Sequence, residues 1–159
     1  MTGQVKEDIL CRWGEFGVYE KGGELFFNSI IIRTEEYLEE DKEFMFYDVN
    51  NKKQTLTIPK HALCFTYCQV PIVYHNQSNA NGIEIVLSNG EQKKIDQYHL
   101  DADDAANLFS RNGKISQIHI YFSQNQFQTI QRTLLLMTGV FSLYDLPPLC
   151  QKIQLQQIS

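Results

Sequence analysis

No cluster of lysine and arginine occurs in this sequence, so the electrostatic footprint that binds phosphate backbones or anionic membranes is missing. Nucleic acid is not expected as a direct partner. No stretch approaches the roughly 20 apolar residues of a membrane span; the longest candidate, Leu134 to Val140, is far too short. The opening MTGQVKEDIL carries acids and no apolar run, so a secretory signal is not expected. The expected location is the cytoplasm, or outside the cell by a route without a cleaved signal. Cysteine is scarce, and Cys11, Cys64, Cys68 and Cys150 are then simplest as free thiols. Catalytic signatures are absent too: there is no G-x-S-x-G, no phosphate-cradling glycine loop and no H-E-x-x-H.

What is present describes an ordinary globular chain. Its 159 residues suit one domain, 1–159, with an uncertain tail at 149–159 after Pro147-Pro148. Ten Phe, eight Tyr and one Trp lean the composition towards sheet. The net charge of −5 has one source: TEEYLEEDKE, residues 34 to 43, holds six acids against one lysine, while the other 13 acids and 13 bases cancel. Such a run is a solvated strand end or a docking surface for a basic protein. On an exposed edge, its glutamates would also discourage aggregation.

Three turn signals divide the first hundred residues: Lys21-Gly22-Gly23, Asn50-Asn51-Lys52 and Ser88-Asn89-Gly90. Gly and Asn accept the positive φ that tight hairpins need, so three antiparallel hairpins in a meander are expected. In EFMFYDV, Phe44 and Phe46 share one face while Met45, Tyr47 and Val49 share the other. In GIEIVL, Ile83, Ile85 and Leu87 oppose Glu84 and Val86. Apolar residues on both sides of the first segment imply that parts of the sheet are covered twice. RWGEFGVYE is read as the first strand, with Trp13 as a core residue or a recognition anchor.

After Tyr98 the period changes. LDADDAANLFSRNG opens on aspartates, places Ala105, Leu108 and Phe109 on one stripe and ends at Gly113, which predicts a short capped helix near 101–112. KISQIHIYF returns to period two, with Ile118, Ile120 and Phe122 facing one way. An apolar stripe of Phe127, Ile130, Leu134 and Met137 predicts an amphipathic helix near 124–138. The fold class expected is α+β and β-rich, a bent antiparallel sheet or roll closed by that helix. The element order and turns such as KGGELFF resemble pleckstrin-homology-like domains, which implies a seven-stranded roll capped by a helix. The basic first hairpin of the lipid-binding members is lacking, because Lys21 stands between Glu20 and Glu24.

HALCFTYCQVPIVYH, from His61 to His75, concentrates two cysteines and two histidines. Its β-branched and aromatic residues and Pro71 argue for extended backbone throughout. On a strand, Cys64 and Cys68 lie about 13 Å apart, whereas two thiolates on one zinc ion sit roughly 4 Å apart. No metal site is therefore expected. DQYHLDADD, with Asp96, His99, Asp101, Asp103 and Asp104, fails the calcium-loop pattern because Ala106 and Asn112 occupy the glycine and glutamate positions. Helix capping explains its acids.

The expected function is that of a non-enzymatic protein-binding domain, an adaptor, assembly factor or inhibitor. It would present Glu35, Glu36, Glu39, Glu40 and Asp41, with Trp13 as an aromatic anchor, to a basic protein partner. No cofactor is expected. Three other classes fit the same residues: a small-ligand or lipid-binding β-roll, a toxin-neutralising immunity protein, and a cysteine-dependent hydrolase whose thiol meets a base in space.

Overall fold

A computed structural model describes residues 3–28, 32–78 and 80–123 of the chain. All of these belong to the unit Met1–Gln124; the expected helix at 124–138 and the tail at 149–159 lie outside the described residues. Helix α1 (Gly3–Glu15) leads into strands β1 (Val18–Lys21) and β2 (Glu24–Phe27). A 3-10 turn at Thr34–Glu36 precedes β3 (Lys42–Tyr47) and β4 (Lys53–Ile58). There follow β5 (Ala62–Tyr67), β6 (Val70–Ser78), β7 (Gly82–Leu87), β8 (Gln92–Ile95), β9 (His99–Leu100), α2 (Ala102–Phe109) and β10 (Ile115–Ser123). The class is α+β, β-rich, with open bent sheets. Among the described residues no helix is long and apolar enough to cross a membrane.

The three hairpins expected from turn chemistry all form, pairing β1 with β2, β3 with β4 and β7 with β8. A further hairpin corrects the reading of residues 61 to 75 as one extended strand. The chain reverses at Cys68 and Gln69, both at positive φ (51° and 65°), and β5 pairs with β6 from Tyr67↔Val70 to Ala62↔His75. Two non-glycine residues take the left-handed geometry that a two-residue hairpin loop demands.

The arrangement is also not a simple meander. β10 inserts between β6 and β7 to give the order β5-β6-β10-β7-β8, parallel to β6 (Ile118↔Ile72, Ile120↔Tyr74) and antiparallel to β7 (Ile118↔Ile85). The sheet is therefore mixed. A separate three-stranded sheet has the order β1-β2-β9, and β3 and β4 form a ribbon of their own.

Trp13 does not stand on a first strand. It lies on α1, which ends where Gly17 takes φ +66°. Only glycine fits there, since a Cβ would come within 1.4 Å of the carbonyl oxygen of Asn28, whose N–H donates to the Gly17 carbonyl at 2.9 Å.

One face of the five-stranded sheet carries the main core. Ile72, Tyr74, Ile85, Ile118 and Ile120 are all fully buried, and Phe65 stacks on Phe16 with centroids 4.3 Å apart. Tyr74 meets Phe27, Phe65 and Phe122 edge-on, and its hydroxyl donates to the Phe16 carbonyl at 2.8 Å, so this buried polar atom is satisfied. α2 forms as expected: Asp101 caps it by accepting from the Asp104 N–H at 2.8 Å, and Ala105 and Leu108 face inward. Phe109 departs from the expected stripe and stays exposed.

On the opposite face, Ile58, Ala62 and Val73 form a smaller cluster, against which Leu38, Phe44, Leu56 and Cys64 pack. The ribbon thus lies over part of the sheet with its inner face, while its outer face carries no cover among the described residues.

Candidate functional site

Five acids and one tryptophan were expected to form the site, and the structure gives them different surroundings. Glu36 sits beside Arg12 of α1, which also reaches Glu15 at 2.6 Å. Asp41 accepts the Lys60 N–H at 2.8 Å and so holds the approach to β3 against the β4–β5 connection. Glu40 lies 3.6 Å from Lys42, an exposed pair. Glu35 and Glu39 are exposed and form no ion pair among the described residues. The segment does not float: Tyr37 is buried between the glutamates, and Leu38 exchanges backbone bonds with the β5 edge, donating to Ala62 at 3.0 Å and accepting from His61 at 2.7 Å. A charged run is therefore displayed from a fixed backbone.

Trp13 packs against a different neighbour. It is half-buried and packs edge-on to Tyr67 at 5.2 Å, and Tyr67 in turn lies 6.4 Å from Phe109. Among the described residues no ring contact joins it to the acids.

The acids lead straight into β3, where sequence patterning understated what is exposed. Alternation turns Phe44 and Phe46 inward and Glu43, Met45 and Tyr47 outward. Met45 is 63% and Tyr47 58% exposed, on a face that the apolar pattern suggested was covered. Opposite them stand Thr55 and Lys53, also exposed. Large apolar side chains held this far into water on a paired strand are the kind of surface that recognition uses. Other exposed apolar side chains, Ile9 and Leu10 of α1 and Tyr19 of β1, sit on different elements.

No family model and no curated protein matches the chain. The chemistry of its side chains must therefore speak for itself.

Of the residues between His61 and His75, the structure brings none of the cysteines to a histidine through a hydrogen bond among the described residues. Cys64 packs in the smaller cluster, and burial pushes its thiol up to about 12, which keeps it protonated and a poor nucleophile. Cys68 stands in the β5–β6 turn and Cys11 on α1; Cys150 lies outside the described residues. Among the described residues no group of three His, Cys, Asp or Glu side chains is placed to hold a metal ion. Around α2, Lys93 bridges Asp104 at 2.6 Å and Asp101 at 3.6 Å, so those acids cap and anchor the helix.

His75 instead meets His119, a partner the sequence offered no spacing to find because the two residues lie on different strands. His119 Nε2 lies 3.1 Å from the Gln117 side-chain oxygen, which accepts its proton. That leaves Nδ1 of His119 to accept from His75 Nε2 at 2.9 Å. Tyr121 stacks on His75 with centroids 4.5 Å apart and donates its hydroxyl to Glu84 at 3.1 Å. Burial and the neighbouring imidazole lower His75 to about 4; burial lowers His119, with Glu84 opposing. Both rings are neutral near pH 7, and the bond requires Nδ1 of His119 to be without a proton.

An open cavity of about 250 Å³ lies between the ribbon and the end of the five-stranded sheet, lined by Phe46, Asp48, Gln54, Gln69, Ser116 and Gln117 among others. The Gln69 side chain donates to the Asp48 carbonyl across it at 3.2 Å. It gathers amides and hydroxyls without a charged group other than Asp48, whose carboxylate is already engaged by Gln54 and by the Asn50 and Lys52 N–H groups.

Proposed function

We propose that this chain acts as a non-enzymatic protein-binding domain, docking through the outer face of the β3–β4 ribbon and the acidic segment that leads into it. The observation that carries the reading is the exposure of Met45 and Tyr47, side by side on that face and continuous with Glu39, Glu40 and Glu43. Apolar and aromatic side chains at the centre with charge at the rim is the usual anatomy of a recognition surface. The acids select a basic partner and speed its approach, and the apolar pair supplies desolvation once contact is made. Arg12 and Lys60 hold Glu36 and Asp41 to the fold, which leaves Glu35 and Glu39, with Glu40 in an exposed pair with Lys42, as the charges open to a partner.

The test is affinity purification of the tagged chain from its source cells, read by mass spectrometry, with two variants beside the parent. One carries Glu35→Lys, Glu39→Lys and Glu40→Lys; the other carries Met45→Ala and Tyr47→Ala. A basic protein recovered with the parent and depleted in both variants is the expected result. Equal recovery of that protein with all three baits overturns the reading.

A further inference from the structure

Among the described residues nothing pairs with one edge of β3, and the pairing pattern says which groups point there. Asp48 N–H donates to the Lys52 carbonyl at 3.0 Å at the hairpin end. Counting back along the antiparallel register, Phe46 and Phe44 exchange bonds with Gln54 and Leu56. Glu43, Met45 and Tyr47 then turn their N–H and C=O groups away from β4, towards the open side. Among the described residues no strand pairs there, since the ribbon contains β3 and β4 alone.

The other terminal strands are shorter, charged or partly occupied, and β9 has only two residues. β8 carries Lys93 and Lys94 within four residues, a composition that repels an incoming strand end, and β1 is equally short. β5 has its first residue, Ala62, occupied by the backbone of Leu38. The outer edge of β4 bears Lys53 next to Lys52. β3 is six residues long and presents Met45 and Tyr47 beside its edge, with Glu39, Glu40, Asp41 and Glu43 at one end.

We infer that β3 accepts an extended basic segment of a partner protein as a third strand of the ribbon, an inference that rests on the protein-binding reading above. Main-chain bonds to Glu43, Met45 and Tyr47 give the affinity, while the outward side chains of the added strand cover Met45 and Tyr47. Charge fixes the chemistry of the occupant. A second copy pairing parallel and in register would set its own glutamates against these, and one pairing antiparallel about Met45 would set Glu43 opposite Tyr47, whereas lysine or arginine at the end of the added strand pairs with the acids.

The experiment uses the full chain and the synthetic peptide Lys-Lys-Val-Thr-Val-Thr-Val-Lys-Lys, followed by amide NMR and hydrogen exchange. Two control peptides accompany it: one with glutamate in place of every lysine, and one N-methylated at its central amides, which keeps the charge and removes the donors. The lysine peptide is expected to slow exchange of the Met45 and Tyr47 amides by about tenfold or more, and neither control to do so. Met45→Pro removes an N–H that faces away from β4, so the β3–β4 ladder survives, as the amide spectrum of the variant checks, and peptide binding is lost. Equal binding of the N-methylated peptide, protection at other amides, or no binding of any peptide overturns strand addition. Protection of the same amides without peptide, together with concentration-dependent sedimentation, makes the occupant a second copy and also overturns it. The two proposals fail separately: if the peptide results are negative while the Glu35, Glu39 and Glu40 reversals still deplete the cellular partner, docking stands and strand addition falls.

Discussion

The five-stranded sheet and the β3–β4 ribbon are made of similar residues and differ in what surrounds them. In the sheet, β10 has a paired neighbour on each side, and its Ile118 and Ile120 are fully buried. In the ribbon each strand has one neighbour among the described residues, and Met45 and Tyr47 stand largely in water. Alternation places apolar side chains on a face in both regions, but only neighbours decide whether that face is core or surface. The ribbon keeps its inner side on Ala62 and Val73 through Phe44 and Leu56, so it is anchored without being enclosed.

The sharpest way to break this contrast is to cut the same kind of side chain in both places. Ile118→Ala should cost about 2–5 kcal/mol in urea unfolding, because a fully enclosed site cannot collapse around the cavity. A loss below about 1 kcal/mol would mean that the centre of the sheet is no better packed than its edges.

Acid should separate the regions next. His75 and His119 belong to the sheet and have lowered values when folded, so the unfolded chain binds protons more readily as pH falls below its ordinary 6.5. Their stabilisation is complete above pH 6.5 and is lost as pH falls towards about 4, where folded His75 itself titrates. For His75 the loss is on the order of 2 kcal/mol after discounting for solvent screening at this half-buried ring, and His119 acts in the same direction. Urea midpoints measured from pH 7 to pH 4 check the slope, and His119→Gln should flatten it.

Tyr74→Phe probes a buried hydroxyl bond of the main core and should cost about 1 kcal/mol by leaving the Phe16 carbonyl without that donor. The smallest effect belongs to the ribbon: Tyr47→Thr should change stability by no more than about 0.5 kcal/mol while weakening partner capture. A larger destabilisation would show that Tyr47 is holding the fold rather than facing a partner.

Much of the secondary structure was legible because local chemistry dictated it. Gly22-Gly23, Asn50-Asn51 and Asn89-Gly90 mark turns that form, and Asp101 caps α2 with its own carboxylate. The Cys68-Gln69 turn was hidden because neither residue favours positive φ, and the surrounding β-formers read as one strand. Trp13 was misplaced because Gly14 and the aromatic residues after it suggest a strand, while the signal that ends α1 is the geometry of Gly17 against Asn28. The insertion of β10 could not be read at all, since its partners β6 and β7 are selected by fit across long separations. For the candidate site, the acids were visible as a charge run. The bareness of Met45 and Tyr47 was not, because exposure depends on what else the chain brings near. The His75–His119 pair escaped for the same reason.

The position of β10 also governs the order in which this chain can be assembled. As synthesis proceeds, the β5–β6 and β7–β8 hairpins emerge complete, yet they share no ladder until residues 115–123 arrive to join them. A nascent chain stalled before Ile115 therefore holds two half-sheets with raw margins at β6 and β7, the state most exposed to mispairing and most in need of a chaperone.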